Sequence, residues 1–175
     1  MTKTAAKENE TKNEGVKKNE FYINRLKINN DGLAEIFYRT STDSAAQEVY
    51  YKGKDPVTEE FKTLFQSSVD SLTEIIQRLR PDKNDITMNV IKFGYDSNGF
   101  LKSALYSAKY KFNSESNAVI NLNTSPLPIY KEELEKTFCI SGQDVELLHE
   151  IIAKAKAYIK GETRTKQLKV IVDNS

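Results

Sequence analysis

The sequence predicts an α+β fold: an antiparallel sheet of about five strands, in the order β-β-α-β-β-β-α, with two amphipathic helices packed on one face. Two observations place the strands. Alternating apolar and polar runs flank Asn30-Asp31-Gly32, and a second set flanks Asp96-Ser97-Asn98-Gly99; both segments carry the positive-φ chemistry of tight turns. A third observation places the helices. Phe61, Leu64, Phe65, Leu72, Ile75, Ile76 and Leu79 recur at helical spacing, as do Val145, Leu148, Ile152, Ala155 and Ile159.

The chain divides into residues 1–19, 20–161 and 162–175. The first segment is Lys, Glu, Asn and Thr with almost nothing apolar, so it is expected to be a disordered tail; a tether or a segment that folds on a partner is the alternative. Within the α+β domain of 20–161, Tyr22, Leu26 and Ile28 alternate with Arg25 and Lys27, which predicts a half-buried strand with a basic outer face. Leu33 to Thr40 returns as its partner, and Val49-Tyr50-Tyr51 is a candidate short third strand. Asp55-Pro56 is expected to start the first helix and Pro81 to stop it, with Arg78 and Arg80 in the last turn.

Ile86 to Tyr95, Phe100 to Phe112 and Ala118 to Thr124 read as a meander ended by Ser125-Pro126-Leu127-Pro128. Glu132 to Lys136 suggests a short helical turn. Ser141 with Asp144 approximates a capping box for the second helix, and Gly161 is its natural stop. Residues 162–175 read as a basic tail or an edge strand over Leu168 to Val172.

Composition narrows the function classes. At 175 residues, with 38% hydrophobic and 29% charged side chains, the chain suits one water-exposed domain. Its net charge of +1 provides no global attraction for nucleic acid or membrane, so any basic face must be local. The single cysteine, Cys139, excludes an intrachain disulfide, and one cysteine with one histidine argues against a zinc site. No stretch is apolar enough for a membrane span, and the N-terminus has no signal-peptide core; a cytoplasmic protein is the expectation.

Catalytic signatures are lacking in the pattern. There is no phosphate-binding glycine loop, His149 sits within a helical stripe, and the apolar neighbours of Cys139 suit a structural thiol. No catalytic residue, metal or cofactor is assigned. Carboxylates at Glu35, Glu48, Asp82 and Asp85 leave a metal-dependent nuclease as an alternative.

Binding residues are more plentiful. The predicted outer sheet positions carry Arg25, Lys27, Arg39, Lys92, Lys109 and Lys111, with Phe37 and Tyr106 as stacking partners. Cations that track a phosphate backbone, interleaved with rings that stack bases, are how sheet-faced modules hold single strands. Tyr106 and Tyr110 also share a face with Ala104 and Ala108, and that face serves equally as core. A second basic group comprises Lys154, Lys156, Lys160, Arg164, Lys166 and Lys169 against one acid, Glu162, and its cations, Lys154, Lys160, Arg164 and Lys166 foremost, can bind phosphate or simply stabilise a helix end.

Tyr22-Ile23-Asn24-Arg25-Leu26-Lys27-Ile28, Ile36-Phe37-Tyr38, Phe93-Gly94-Tyr95, Asn121 through Pro128 and Ala157-Tyr158-Ile159-Lys160-Gly161 together resemble a group of small tailed-phage proteins from early or replication-type regions. The resemblance spans roughly residues 21–169 and brings no catalytic residues; Glu162 to Val172 is longer and more basic here than in that group. It implies a phage accessory protein acting in the host cytoplasm. The leading expectation is a non-enzymatic protein that binds nucleic acid, single-stranded, in replication or recombination. The alternative is a phage interaction protein that inhibits a host factor such as a defence nuclease or sequesters a small signalling ligand. An exposed edge strand offers a route to a homo-oligomer.

Overall fold

Two antiparallel meanders laid edge to edge build the sheet. The computed structural model describes residues 20–41, 46–75, 82–111, 118–129, 139–140 and 142–162. The first meander comprises β1 (Glu20–Ile28), β2 (Ala34–Ser41) and β3 (Ala46–Lys52); the second comprises β4 (Ile86–Tyr95), β5 (Leu101–Lys111) and β6 (Val119–Asn123). Strand order across the sheet is β3-β2-β1-β4-β5-β6, with the short β7 (Leu127–Pro128) on β5. Helix α1 (Glu59–Ile75) carries the chain from β3 across to β4, and α2 (Gln143–Lys160) follows the second meander.

The α+β class and antiparallel sheet agree with the expectation, but among the described residues the sheet has seven strands rather than about five. Ala46–Lys52 forms a full strand in register with β2, so α1 follows three strands rather than two. Leu127-Pro128, expected to stop the sheet, instead pairs with Ala104 and Ser103. Proline is tolerated there because Ile129, the next residue, supplies the donor to Lys102 O at 2.8 Å, while Pro128 only accepts, from Ile140 N at 2.9 Å.

Both anticipated turns form. Asn29 N donates to Leu33 O and Gly32 N to Asn29 O, each at 3.0 Å, closing the β1–β2 hairpin. Asp96 organises the β4–β5 turn: its Oδ1 accepts from Asn98 N and Phe100 N at 2.9 Å, while Gly99 adopts φ +81°. Helix starts differ from expectation. Thr58, not Asp55, caps α1, its Oγ1 accepting from Phe61 N, and Val57 N is held by Gly32 O at 2.9 Å before the helix begins. Gly142 is the N-cap of α2 and has no side chain to cap with; in the first turn the Asp144 carboxylate accepts from Ser71 at 2.6 Å. Gly161 ends α2 in the left-handed conformation, as expected.

One face of the sheet is core. Leu26, Ile36, Ile91 and Tyr106 occupy neighbouring strands in register and are fully buried. Phe61, Phe65 and Leu72 of α1 and Leu148, Ile151, Ala155 and Tyr158 of α2 join the same cluster. Tyr158 threads past Gly53, where any Cβ would collide with its ring, and its hydroxyl donates to Asp55 O. The apolar surface removed from water here supplies the main driving force for folding.

The expected tail of 1–19, the stop at Pro81, the helical turn of Glu132 to Lys136, Ser141 of the capping box and the segment Leu168 to Val172 all lie outside the described residues.

Candidate nucleic-acid interface

Alternate residues of the same strands form a second face, and no described element covers it. Three ladder rows define it. Tyr50, Phe37, Arg25, Lys92 and Leu105 stand side by side from β3 to β5. Next to them run Lys52, Glu35, Lys27, Val90 and Ser107, then Thr87, Lys109 and Asn121. Lys111 follows Lys109 on the same side, two residues further along β5. On the other flank Arg39 lies between Glu48 and Tyr22.

The rings and cations are organised against one another. The Arg25 guanidinium sits 5.3 Å from the centroid of Phe37, whose other neighbour is Tyr50 with centroids 4.6 Å apart. Arg39 lies 5.5 Å over Tyr22, which meets Tyr95 edge-on at 5.1 Å. Such contacts contribute only about 0.5–1 kcal/mol each at exposed sites, but they hold flexible cations in place before a ligand arrives. Even with these contacts, Phe37 and Tyr50 remain 37% and 50% exposed, a large ring surface left open to water. Arg25 Nε is buried with no hydrogen-bond partner among the described residues.

The charge balance is local, as the near-neutral chain requires. Carboxylates on this face are Glu35, which pairs with Lys27 at 3.4 Å, and Glu48 opposite Arg39. Lys92, Lys109 and Lys111 are exposed and have no carboxylate partner among the described residues.

Tyr106 does not belong to this surface. It is fully buried on the core face, and its hydroxyl ends beside Ser71 and Asp144 without a hydrogen bond of normal geometry. Burial, reinforced by the Asp144 charge, pushes its phenol far above the ordinary tyrosine range. The sequence held the warning. Tyr106 and Lys109 are three residues apart in one strand, and an odd spacing puts them on opposite faces.

The second basic group is on the other side of the molecule. Helix α2 packs on the core face, so Lys154 and Lys160 do not converge with the outer sheet face. Lys154 Nζ contacts Glu60 Oε1 of α1 at 2.6 Å, while Lys160 is exposed at the helix end. Lys156 lies 5.8 Å over Phe21, and burial with the neighbouring Lys160 lowers its pKa. Arg164 and Lys166 lie outside the described residues.

Tyr22, Tyr50 and Lys52 are members of the outer face that sequence reasoning missed. Alternation alone places Tyr22 with Leu26 and Ile28, but a register shift between Ile23 and Arg25 moves it to the side of Arg39. Tyr50 was legible once β3 was accepted, because it alternates with Val49 and Tyr51.

The nuclease alternative finds no cluster. Among the described residues no group of three or more His, Cys, Asp or Glu side chains is arranged to hold a metal. Glu35 is engaged by Lys27, and Asp82 caps the 3-10 turn Lys83–Asp85 by accepting from Asn84 N. His149 is exposed on α2 and Cys139 is half-buried. No described helix is long and apolar enough to cross a membrane. Comparison of the chain with protein-family models, with curated proteins and with solved structures finds no match.

Proposed function

We propose that this protein is a binding module for single-stranded nucleic acid and that the outer sheet face is its working surface. The observation that supports this most is the row Tyr50–Phe37–Arg25–Lys92, flanked by Lys27 and Arg39. It sets two exposed rings beside two cations along a face that the described residues leave open. Exposed rings accept unstacked bases of any identity, and the cations neutralise the phosphates between them. A duplex would leave the rings idle, since its bases are already stacked.

A role as a phage accessory protein in replication or recombination belongs to the same proposal and is supported by the resemblance of its short segments alone. A second reading, capture of a host protein, draws on the same observation, because tyrosine, phenylalanine and arginine are also the residues that anchor protein interfaces. Salt separates the two. Single-strand binding should weaken steeply with salt, log K falling by about 0.7 per decade for each phosphate neutralised. Absence of oligonucleotide binding at low salt would reject the first reading and leave the second.

A further inference from the structure

A separate feature opens where the two meanders part. The β1–β4 ladder ends at Lys27 and Val90, after which β1 runs into its turn and β4 continues down to Ile86. The gap is kept open by α1. Gln66 takes the place of the missing strand: its Nε2 donates to Ile86 O at 2.8 Å, and its Oε1 accepts from Met88 N at 3.0 Å. With β4's backbone satisfied in this way, the space beside it is a preformed cleft of about 490 Å³, within the range of small-molecule sites.

The lining is selective. Lys27 from β1, Lys62 from α1 and Lys109 from β5 line it; Asp31 is the one carboxylate in the wall, and Lys27 is also paired with Glu35 at 3.4 Å. Lys62 is only loosely engaged, 3.7 Å from the exposed Glu59. Phe65 and Met88 form an apolar floor. Asn89 sits at a register shift in β4, where an extra residue re-aims a side chain, and neither it nor Asn30 has a side-chain partner among the described residues.

We propose that this cleft binds a nucleotide. The phosphate is held by Lys27, Lys62 and Lys109, the base lies on Phe65 and Met88, and the amides of Asn30 and Asn89 face its hydrogen-bonding edge. The ligand is either the phosphorylated end of a strand crossing the sheet face or a free mononucleotide. The inference shares Lys27 and Lys109 with the sheet-face reading, while Lys62 belongs to the cleft alone.

Titration calorimetry on the full chain tests it with the four nucleoside 5′-monophosphates, the matching nucleosides, inorganic phosphate, and one oligonucleotide with and without a 5′-phosphate. At least one monophosphate or the phosphorylated oligonucleotide should bind about tenfold more tightly than its unphosphorylated counterpart. Lys62→Glu should remove that increment, whereas Lys160→Glu, at the exposed end of α2 and outside the cleft, should leave it within about twofold. An increment confined to the oligonucleotide identifies a strand end; an increment in the free monophosphate identifies a small nucleotide. Binding of inorganic phosphate as tight as that of the monophosphates would overturn the nucleotide assignment. So would the lack of any phosphate-dependent increment, or an increment that survives Lys62→Glu. If the unphosphorylated oligonucleotide fails to bind but a monophosphate binds through Lys62, the sheet-face reading fails and the cleft stands.

Discussion

The two faces of this sheet are made from the same strands, and they differ in almost everything else. In β5, Ala104, Tyr106 and Ala108 pack beneath the helices while Ser103, Ser107, Lys109 and Lys111 alternate with them on the open side. The buried face carries a fully enclosed tyrosine whose hydroxyl lacks a hydrogen bond of normal geometry. The open face carries rings and guanidinium groups held in contact with each other but covered by nothing described. One face has spent its side chains on folding. The other has ordered side chains with no folding role large enough to explain them.

The largest effects should come from breaking the buried face. Ile91→Ala or Leu26→Ala removes a fully buried side chain and should cost about 2–5 kcal/mol, read as a lower denaturation midpoint. Oligonucleotide affinity per folded molecule should not change. Gly53→Ala should also destabilise, by about 1–3 kcal/mol, since the added carbon meets the Tyr158 ring.

Charge reversal on the open face should do the converse. Arg25→Glu with Lys92→Glu should lower single-strand affinity by about tenfold or more and flatten its salt dependence by roughly one to two units of slope. Lys92→Glu alone should alter stability by no more than about 0.5 kcal/mol, as expected at an exposed position.

Tyr106→Phe sharpens the boundary between the faces. It deletes a buried hydroxyl that lacks a proper partner, so stability should hold or rise by about 1 kcal/mol, with binding unaltered. Reduced binding in this variant would mean that the ring reaches the open face after all.

The smallest expected effect is in alkali. Burial pushes the phenols of Tyr95 and Tyr106 well above their ordinary range, so the folded protein keeps protons that the unfolded chain releases. Their stabilisation is complete below about pH 10 and is lost as pH rises beyond it. Denaturation midpoints measured across that range should fall with pH, less steeply in Tyr106→Phe.

Much of the fold was legible because its signals are local. Asn30-Asp31-Gly32 and Asp96 to Gly99 specify their turns through backbone chemistry, and the stripes from Phe61 and Val145 specify helices. Less legible was anything set by non-local pairing. Leu127-Pro128 becomes a strand only because β5 offers it a partner, and Asp144 accepts from Ser71, which lies 73 residues away in sequence but within hydrogen-bond reach.

The candidate site divides in the same way. Arg25, Lys27, Phe37, Arg39, Lys92, Lys109 and Lys111 follow from alternation with apolar neighbours. Tyr22 does not, because the shift between Ile23 and Arg25 reverses its side, and a single extra residue leaves no mark on composition. The cleft beside Gln66 was hidden for a related reason: it exists where a ladder stops, and a sequence records pairing partners only implicitly.

The most direct measurement compares two charge-reversal pairs on one single-stranded oligonucleotide under identical low salt: Arg25→Glu with Lys92→Glu on the open sheet face, and Lys154→Glu with Lys160→Glu on the helix side. The account predicts that the first pair loses about tenfold or more in affinity while the second stays within about threefold. Loss confined to the helix pair, or no binding by the unaltered protein, would contradict it.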